Sequence, residues 1–193
     1  MDKKEIRTLK ILEEIENDHT SSQRDLSRKL NISLGLVNSF VRRLANKGYF
    51  KITTIPKNRV KYILTPKGIT EKTRLTCKYF QCSFEFYRNA REKLRQTFKD
   101  LRAQGVRRVV LYGACDFAEI ACISLYETSI EMVAIVDDNK TGEKFLGDVV
   151  KNPSMLNSLS YDKILITPMF SKDIVLEKIL KQGIPRSKLV MLE

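Results

Sequence analysis

The stretch QRDLSRKLNISLGLVNSFVRRLANKGYF, Gln23 to Phe50, decides how the front of this chain folds. Ser22 stands three residues before Asp25, a spacing in which each side chain reaches the other's backbone N–H. A short helix is therefore expected to start there and run through Leu30. Asn31-Ile32-Ser33 reads as a tight turn, with Ile32 buried and Ser33 placed to cap the next helix. That second helix runs to about Asn46 and is closed by Gly48, with Val37, Val41 and Leu44 as its inward stripe. Two short helices on a three-residue turn make a helix-turn-helix.

A helix of this kind enters the major groove with its N-terminal side chains leading. Leu34, Gly35, Asn38, Ser39 and Arg42 fall opposite the inward stripe, and with Ser33 and Arg43 they are the candidate DNA-contacting residues. An asparagine amide can pair bidentately with adenine, and an arginine can reach guanine or a phosphate.

The flanks extend the pattern. Upstream, Lys4 to Glu16 is an amphipathic helix on Ile6, Leu9, Leu12 and Ile15, ended by the polar run Asn17–Ser22. Downstream, Tyr49–Ile55 and Val60–Leu64 are β-rich runs separated by Pro56-Lys57-Asn58-Arg59, a hairpin with a basic tip. Lys57, Asn58, Arg59 and Lys61 are placed to contact the minor groove or the phosphate backbone. Helix, helix-turn-helix and two-stranded wing, in that order, make residues 1–70 a winged helix. Here the chain resembles the MarR-type winged-helix regulators, in the helix-turn-helix segment quoted above and in the closing LTPKG, Leu64 to Gly68. The resemblance spans roughly residues 5–75. It implies a transcription regulator that binds double-stranded DNA, and in that family helices outside the winged helix make a homodimer.

Glu71 to Gln104 contains no Gly or Pro and is expected to form one long connecting helix over 71–104. Leu75, Tyr79, Cys82, Phe86, Ala90, Leu94, Phe98 and Leu101 make a continuous apolar stripe, and Phe80, Phe84 and Tyr87 make a second strip. A helix apolar on two faces has more to bury than a small domain offers, which points to self-association.

Residues 105–193 alternate strand and helix. Arg108–Tyr112, Ile130–Val136, Leu146–Val150, Lys163–Ile166 and Lys188–Leu192 read as strands. Helices are expected after Ala118 through Tyr126, over Pro153–Leu159 and over Ser171–Gln182. This predicts a Rossmann-like, doubly wound parallel sheet of about five strands, so the whole chain is expected to be a two-domain α/β protein. Gly113, Ala114, Cys115, Asp116, Asp137 and Asp138 are the candidate cofactor-binding residues, with a nucleotide or nucleotide-sugar as the candidate ligand. Gly113, Cys115 and Ala118 align with a glycine-rich phosphate turn, and Asp137 lies where a ribose hydroxyl is held. Cys115 departs from that pattern, because its side chain occupies the place of a pyrophosphate, and Asp116 adds a repelling charge at the helix N-terminus. Read without a ligand, Asp116 simply caps the helix and Asp137-Asp138 ends a strand in solvent.

The segment from Val109 to Val150 resembles the Rossmann-type domain of bacterial sugar acyltransferases and polysaccharide-synthesis dehydratases. The joined architecture resembles regulators associated with bacterial exopolysaccharide or lipopolysaccharide gene clusters. These likenesses leave three functions open: a regulator with a small-molecule-sensing or structural module, a Rex-like NAD(H)-responsive repressor, and a nucleotide-sugar-binding enzyme fragment. The lone histidine, His19, lies in the front domain, and no nucleophile–base set can be drawn from the back one, so no enzyme is expected.

Charge divides the chain in the same way. Residues 1–70 hold 15 Lys/Arg against 7 Asp/Glu, residues 71–107 hold 10 against 4, and residues 108–193 hold 10 against 12. The overall +12 is thus confined to the front, where a phosphate-rich partner is attracted. No apolar run approaches the ~20 residues of a membrane span, and the charged opening does not read as an export leader. Cys77, Cys82, Cys115 and Cys122 form no Cys-x-x-Cys pair, so no metal site is expected and all four are read as buried, reduced thiols of a cytoplasmic protein.

Overall fold

The computed structural model describes residues 1–55, 59–168 and 172–192. The chain divides into two units, Met1–Glu85 and Phe86–Glu193, each with its own core.

In the first unit, α1 (Lys3–Asn17) opens on a capping box between Asp2 and Glu5. Its buried face is Thr8, Leu9, Ile11, Leu12 and Ile15. α2 (Gln23–Leu30) starts on the expected Ser22–Asp25 box and ends on Asn31, whose φ of +49° is the left-handed conformation that stops a helix. Ser27 Oγ donates to Ile32 O at 2.6 Å, and Ile32 N–H donates to Ser27 O, fixing the turn. α3 (Leu34–Asn46) is capped by Ser33 and buries Val37, Phe40, Val41 and Leu44. Phe40 is an addition to the expected stripe, because it stands three residues after Val37 and four before Leu44. β1 (Phe50–Ile55) and β2 (Arg59–Leu64) pair antiparallel from Phe50↔Leu64 to Ile55↔Arg59. Phe50 and Tyr62 meet edge-to-face at the wing root, 5.6 Å between centroids, and both join the helical core.

The long helix begins earlier than expected: α4 runs Pro66–Ala103. The physical reason lies in its first turn. Proline suits the first helical position, and Thr65 Oγ1 accepts from Gly68 N–H while donating to Gly48 O at 2.6 Å. Gly68 cannot be another residue there, since a Cβ would lie 1.8 Å from Tyr49 O. The helix ends on Gly105 (φ +84°), with Val106 N–H closing on Leu101 O.

The expected stripe on α4 divides in two. Ala90, Leu94, Phe98 and Leu101 are buried in the second unit's core, and Leu75 is buried in the first unit. Tyr79, Phe80, Phe84 and Phe86 are exposed, while Cys82 is half-buried. The cysteines also differ from expectation. Only Cys122 is buried; Cys77 is exposed because it lies off the stripe, and Cys82 and Cys115 are intermediate, though all four are free thiols.

The second unit is built on a parallel sheet ordered β4 (Glu131–Val136), β3 (Arg108–Tyr112), β7 (Lys163–Ile166), β8 (Leu189–Met191). Strand residues alternate between two cores. Val109, Leu111 and Leu165 face the end of α4 and α5 (Asp116–Tyr126), whereas Val110, Tyr112, Ile164 and Ile166 face α6 (Lys172–Lys181). Helices thus cover both faces, as a buried parallel sheet requires.

The sheet has four strands rather than five. The segment expected as a third strand, Leu146–Val150, instead forms a small antiparallel hairpin of β5 (Lys144–Phe145) and β6 (Asp148–Val149). Its turn residues Leu146 and Gly147 have φ of +50° and +96°, the conformation a two-residue hairpin loop demands, and no strand continues through it. Pro153–Ser158 is a 3-10 turn where a short helix was expected. Among the described residues no helix is long and apolar enough to cross a membrane.

Candidate nucleic-acid interface

Burial of Val37, Phe40, Val41 and Leu44 fixes which side of α3 faces outward. That side carries Ser33, Leu34, Gly35, Ser39 and Arg42, all exposed, with Asn38 half-buried beside them. A Cβ at Gly35 would meet nothing within 4 Å, so glycine there leaves open space instead of serving internal packing. Gly35, Asn38, Ser39, Arg42 and Arg43 line a shallow, open depression of about 600 Å³.

Two further residues complete this depression, Asn46 and Lys47. Sequence reasoning missed them, although Asn46 continues the outward row at the four-residue step through Asn38 and Arg42. Lys47 Nζ lies 5.7 Å from the Tyr49 ring centroid and Lys67 Nζ 5.8 Å from it, so two ammonium groups gather on one ring beside the helix end.

The two arginines of α3 differ. Arg42 projects into solvent. Arg43 lays its guanidinium 4.2 Å over the Phe40 ring, and its Nε is buried with no hydrogen-bond partner among the described residues. Packing on Phe40 therefore orients Arg43 and leaves the far end of its guanidinium to act as donor. On the wing, Lys61 sits opposite Thr53, whose hydroxyl donates to Lys61 O. Lys57, Asn58 and the side chain of Arg59 lie outside the described residues.

The candidate cofactor residues of the second unit also come together, around the β3–α5 turn, but the turn is closed by the protein's own groups. Gly113 N–H donates to Val136 O at 2.7 Å, and Ala114 N–H donates to Asp137 Oδ2 at 2.8 Å. Asp137 Oδ1 accepts from the Asn139 and Lys140 N–H groups, and Lys140 Nζ donates to Ala114 O at 2.6 Å. Gly113 has φ +106°, and a Cβ there would lie 2.5 Å from Pro168 Cγ. The glycine thus admits the chain leaving β7, whose Thr167 hydroxyl lies 2.7 Å from Tyr112 O and 2.6 Å from Gly113 O. A pyrophosphate would need the N–H groups and the space that these contacts occupy.

Cys115 is the N-cap residue of α5 with no side-chain cap bond, and Asp116 is the first helical residue, exposed, not the cap. Asp138 accepts from the Tyr112 hydroxyl and pairs with Lys178 at 3.0 Å. Burial, and then the hydrogen bond to Asp138, hold the Tyr112 phenol well above its usual range. His19 Nδ1 lies 2.8 Å from Ile15 O at the end of α1, a structural contact. Among the described residues no cluster of His, Cys, Asp or Glu can hold a metal ion.

Comparison with known proteins follows the same division. No curated protein matches the chain. Residues 105–190 match the family described as C2185-like, N-terminal, a span that runs from before β3 into β8. Residues 4–51 match the winged helix-turn-helix DNA-binding family, from α1 into β1. The chain carries a winged helix-turn-helix DNA-binding domain at its N-terminus, which supports a role in transcription regulation.

Proposed function

We propose that this protein is a sequence-specific regulator of transcription in the cytoplasm that binds double-stranded DNA as a homodimer. The observation that carries the reading is the outward face of α3, which presents Asn38, Ser39 and Arg42 around Gly35 over an open depression, backed by a firmly packed core. Asn38 and Arg42 read bases, while Arg43, Lys47 and Lys61 position the domain on phosphates. The concentration of positive charge before residue 108 supports the same partner.

Dimerisation uses the exposed aromatic strip of α4. Phe80 and Phe84 are 54% and 63% exposed, their rings stack 6.4 Å apart, and Tyr79 lies 6.2 Å from Phe80. A second copy is the natural cover, because a two-fold dimer lets one strip meet its own image and matches palindromic half-sites. The resemblance of the joined architecture to regulators of exopolysaccharide or lipopolysaccharide clusters supports polysaccharide genes as its targets. The second unit serves as a sensing module of Rossmann-like kind without enzymatic turnover.

Gel retardation of duplex DNA from the region upstream of its own gene tests this. Affinity should fall with log salt by about 0.9 per phosphate neutralised. Absence of binding at low salt would overturn it.

A further inference from the structure

Ligands of parallel α/β sheets bind beyond the carboxyl ends of the strands, where the order of connections reverses. In this sheet β3 is followed by β4 on one side and later by β7 on the other, so the crevice opens between the ends of β3 and β7. Thr167 and Pro168 fill it, as described above. The space left open lies one step along the same edge, a cavity of about 330 Å³ wholly within the second unit.

Its walls are mainly apolar. Phe86 and Ala90 come from α4, Phe117 from the first turn of α5 and Leu192 from the segment after β8, with the backbone at the end of β7 closing the floor. No Asp or Glu lines it among the described residues. At the rim, Lys172 Nζ donates to Leu192 O and keeps two further N–H donors. The Asn89 amide, also on the rim, makes no hydrogen bond among the described residues.

We propose that this cavity binds a small carboxylic acid, its aliphatic or aryl tail among Phe86, Ala90, Phe117 and Leu192 and its carboxylate on Lys172 and Asn89. The volume equals about eleven waters at ~30 Å³ each, the size of a medium-chain acid. Sugars and phosphates are excluded, because their many polar groups would be buried against rings and methyls without partners. An ammonium-tailed ligand is excluded, because its charge would meet the Lys172 ammonium. That occupancy alters DNA affinity rests on the regulator reading above; the binding itself does not.

Titrating the full-length protein with octanoate, by calorimetry and thermal shift, tests the site without DNA. Octanoate should bind at one per chain with submillimolar affinity and raise the melting temperature. Octanol, which lacks the charge, should bind about tenfold more weakly, and octylamine and NADH should not bind. Lys172→Met should reduce octanoate to the level of octanol without changing octanol, and Lys172→Arg should retain the preference for the acid. No binding at millimolar octanoate, or an unchanged acid preference in Lys172→Met, would overturn the proposal. A stoichiometry well above one would also overturn it, since it would assign binding to the exposed aromatics of α4.

Discussion

Gly113 can be questioned by a pair of substitutions in the same unit. Gly113 and Gly183 both have left-handed φ, +106° and +80°, but a Cβ at Gly183 meets nothing within 4 Å. Gly183→Ala therefore reports the conformational penalty alone, roughly 1–2 kcal/mol for an L-residue held there. Gly113→Ala adds a collision, with Pro168 Cγ at 2.5 Å, Pro168 Cδ at 2.6 Å and Thr167 Oγ1 at 2.8 Å. Those atoms cannot drift away, because Thr167 N–H donates to Tyr112 O and its hydroxyl is held between Tyr112 O and Gly113 O. Forced overpacking of this kind costs about 1–3 kcal/mol more. At about 4–8 °C per kcal/mol for a unit of this size, Gly113→Ala should melt well below Gly183→Ala, by several degrees at least. Scanning calorimetry of the full chain reads both variants on one transition. Equal melting temperatures would refute the argument, because the glycine would then not be needed for the approach of the β7 exit.

Three further substitutions address the DNA-binding half. Asn38→Ala should lose about 1–3 kcal/mol at the preferred sequence and little elsewhere, measured by competition between specific and random duplexes. Lys61→Ala should weaken all sequences alike and flatten the salt slope by about one contact; the opposite assignment would mean that the register of α3 in the groove is misread. Phe84→Glu should give monomers by sedimentation and lose most operator affinity, since it sets a charge into the exposed strip of α4; a wild-type monomer at tens of micromolar would end the dimer reading.

The front of the chain is legible because its signals are local. Ser22 and Asp25 cap one another, Asn31 takes the left-handed turn, and Ser33 caps the next helix, all within a dozen residues. Asn46 and Lys47 were visible in principle, by extending the outward row of α3 one more turn. The start of α4 was harder, because it depends on Tyr49 O, to which Gly68 and Thr65 must fit from 16–19 positions away. In the back half the same difficulty grows. Gly113 follows a strand and precedes a helix, which is the outline of a phosphate turn, but the residue that requires it is Pro168. Nothing in the local spacing announces a contact to Thr167 across 54 positions. Leu146-Gly147 was the one local signal overlooked, since Val149 and Val150 after it made the turn look like the start of a strand.

The closed turn bears on how the second unit is used. For a nucleotide to occupy it, Asp137 would have to release the N–H groups of Ala114, Asn139 and Lys140, and Lys140 would have to release Ala114 O. Hydrogen bonds to a charged group contribute about 1.5–3 kcal/mol each, and Asp137 is half-buried, so the lower end applies. Giving up even two such bonds costs about 3 kcal/mol, a factor of more than a hundred in affinity, before any clash with Pro168. The apolar cavity beside the turn asks for no such sacrifice. Its rim donors Lys172 and Asn89 have bonding capacity left over, and its walls gain by excluding water. A sheet of this topology thus keeps its ligand-binding edge while moving the occupied position from the β3–α5 turn to the space between α4 and the end of β7. Asp137 accepts the N–H groups that a phosphate turn would offer to its ligand, and Gly113 marks where the β3 exit and the β7 exit touch.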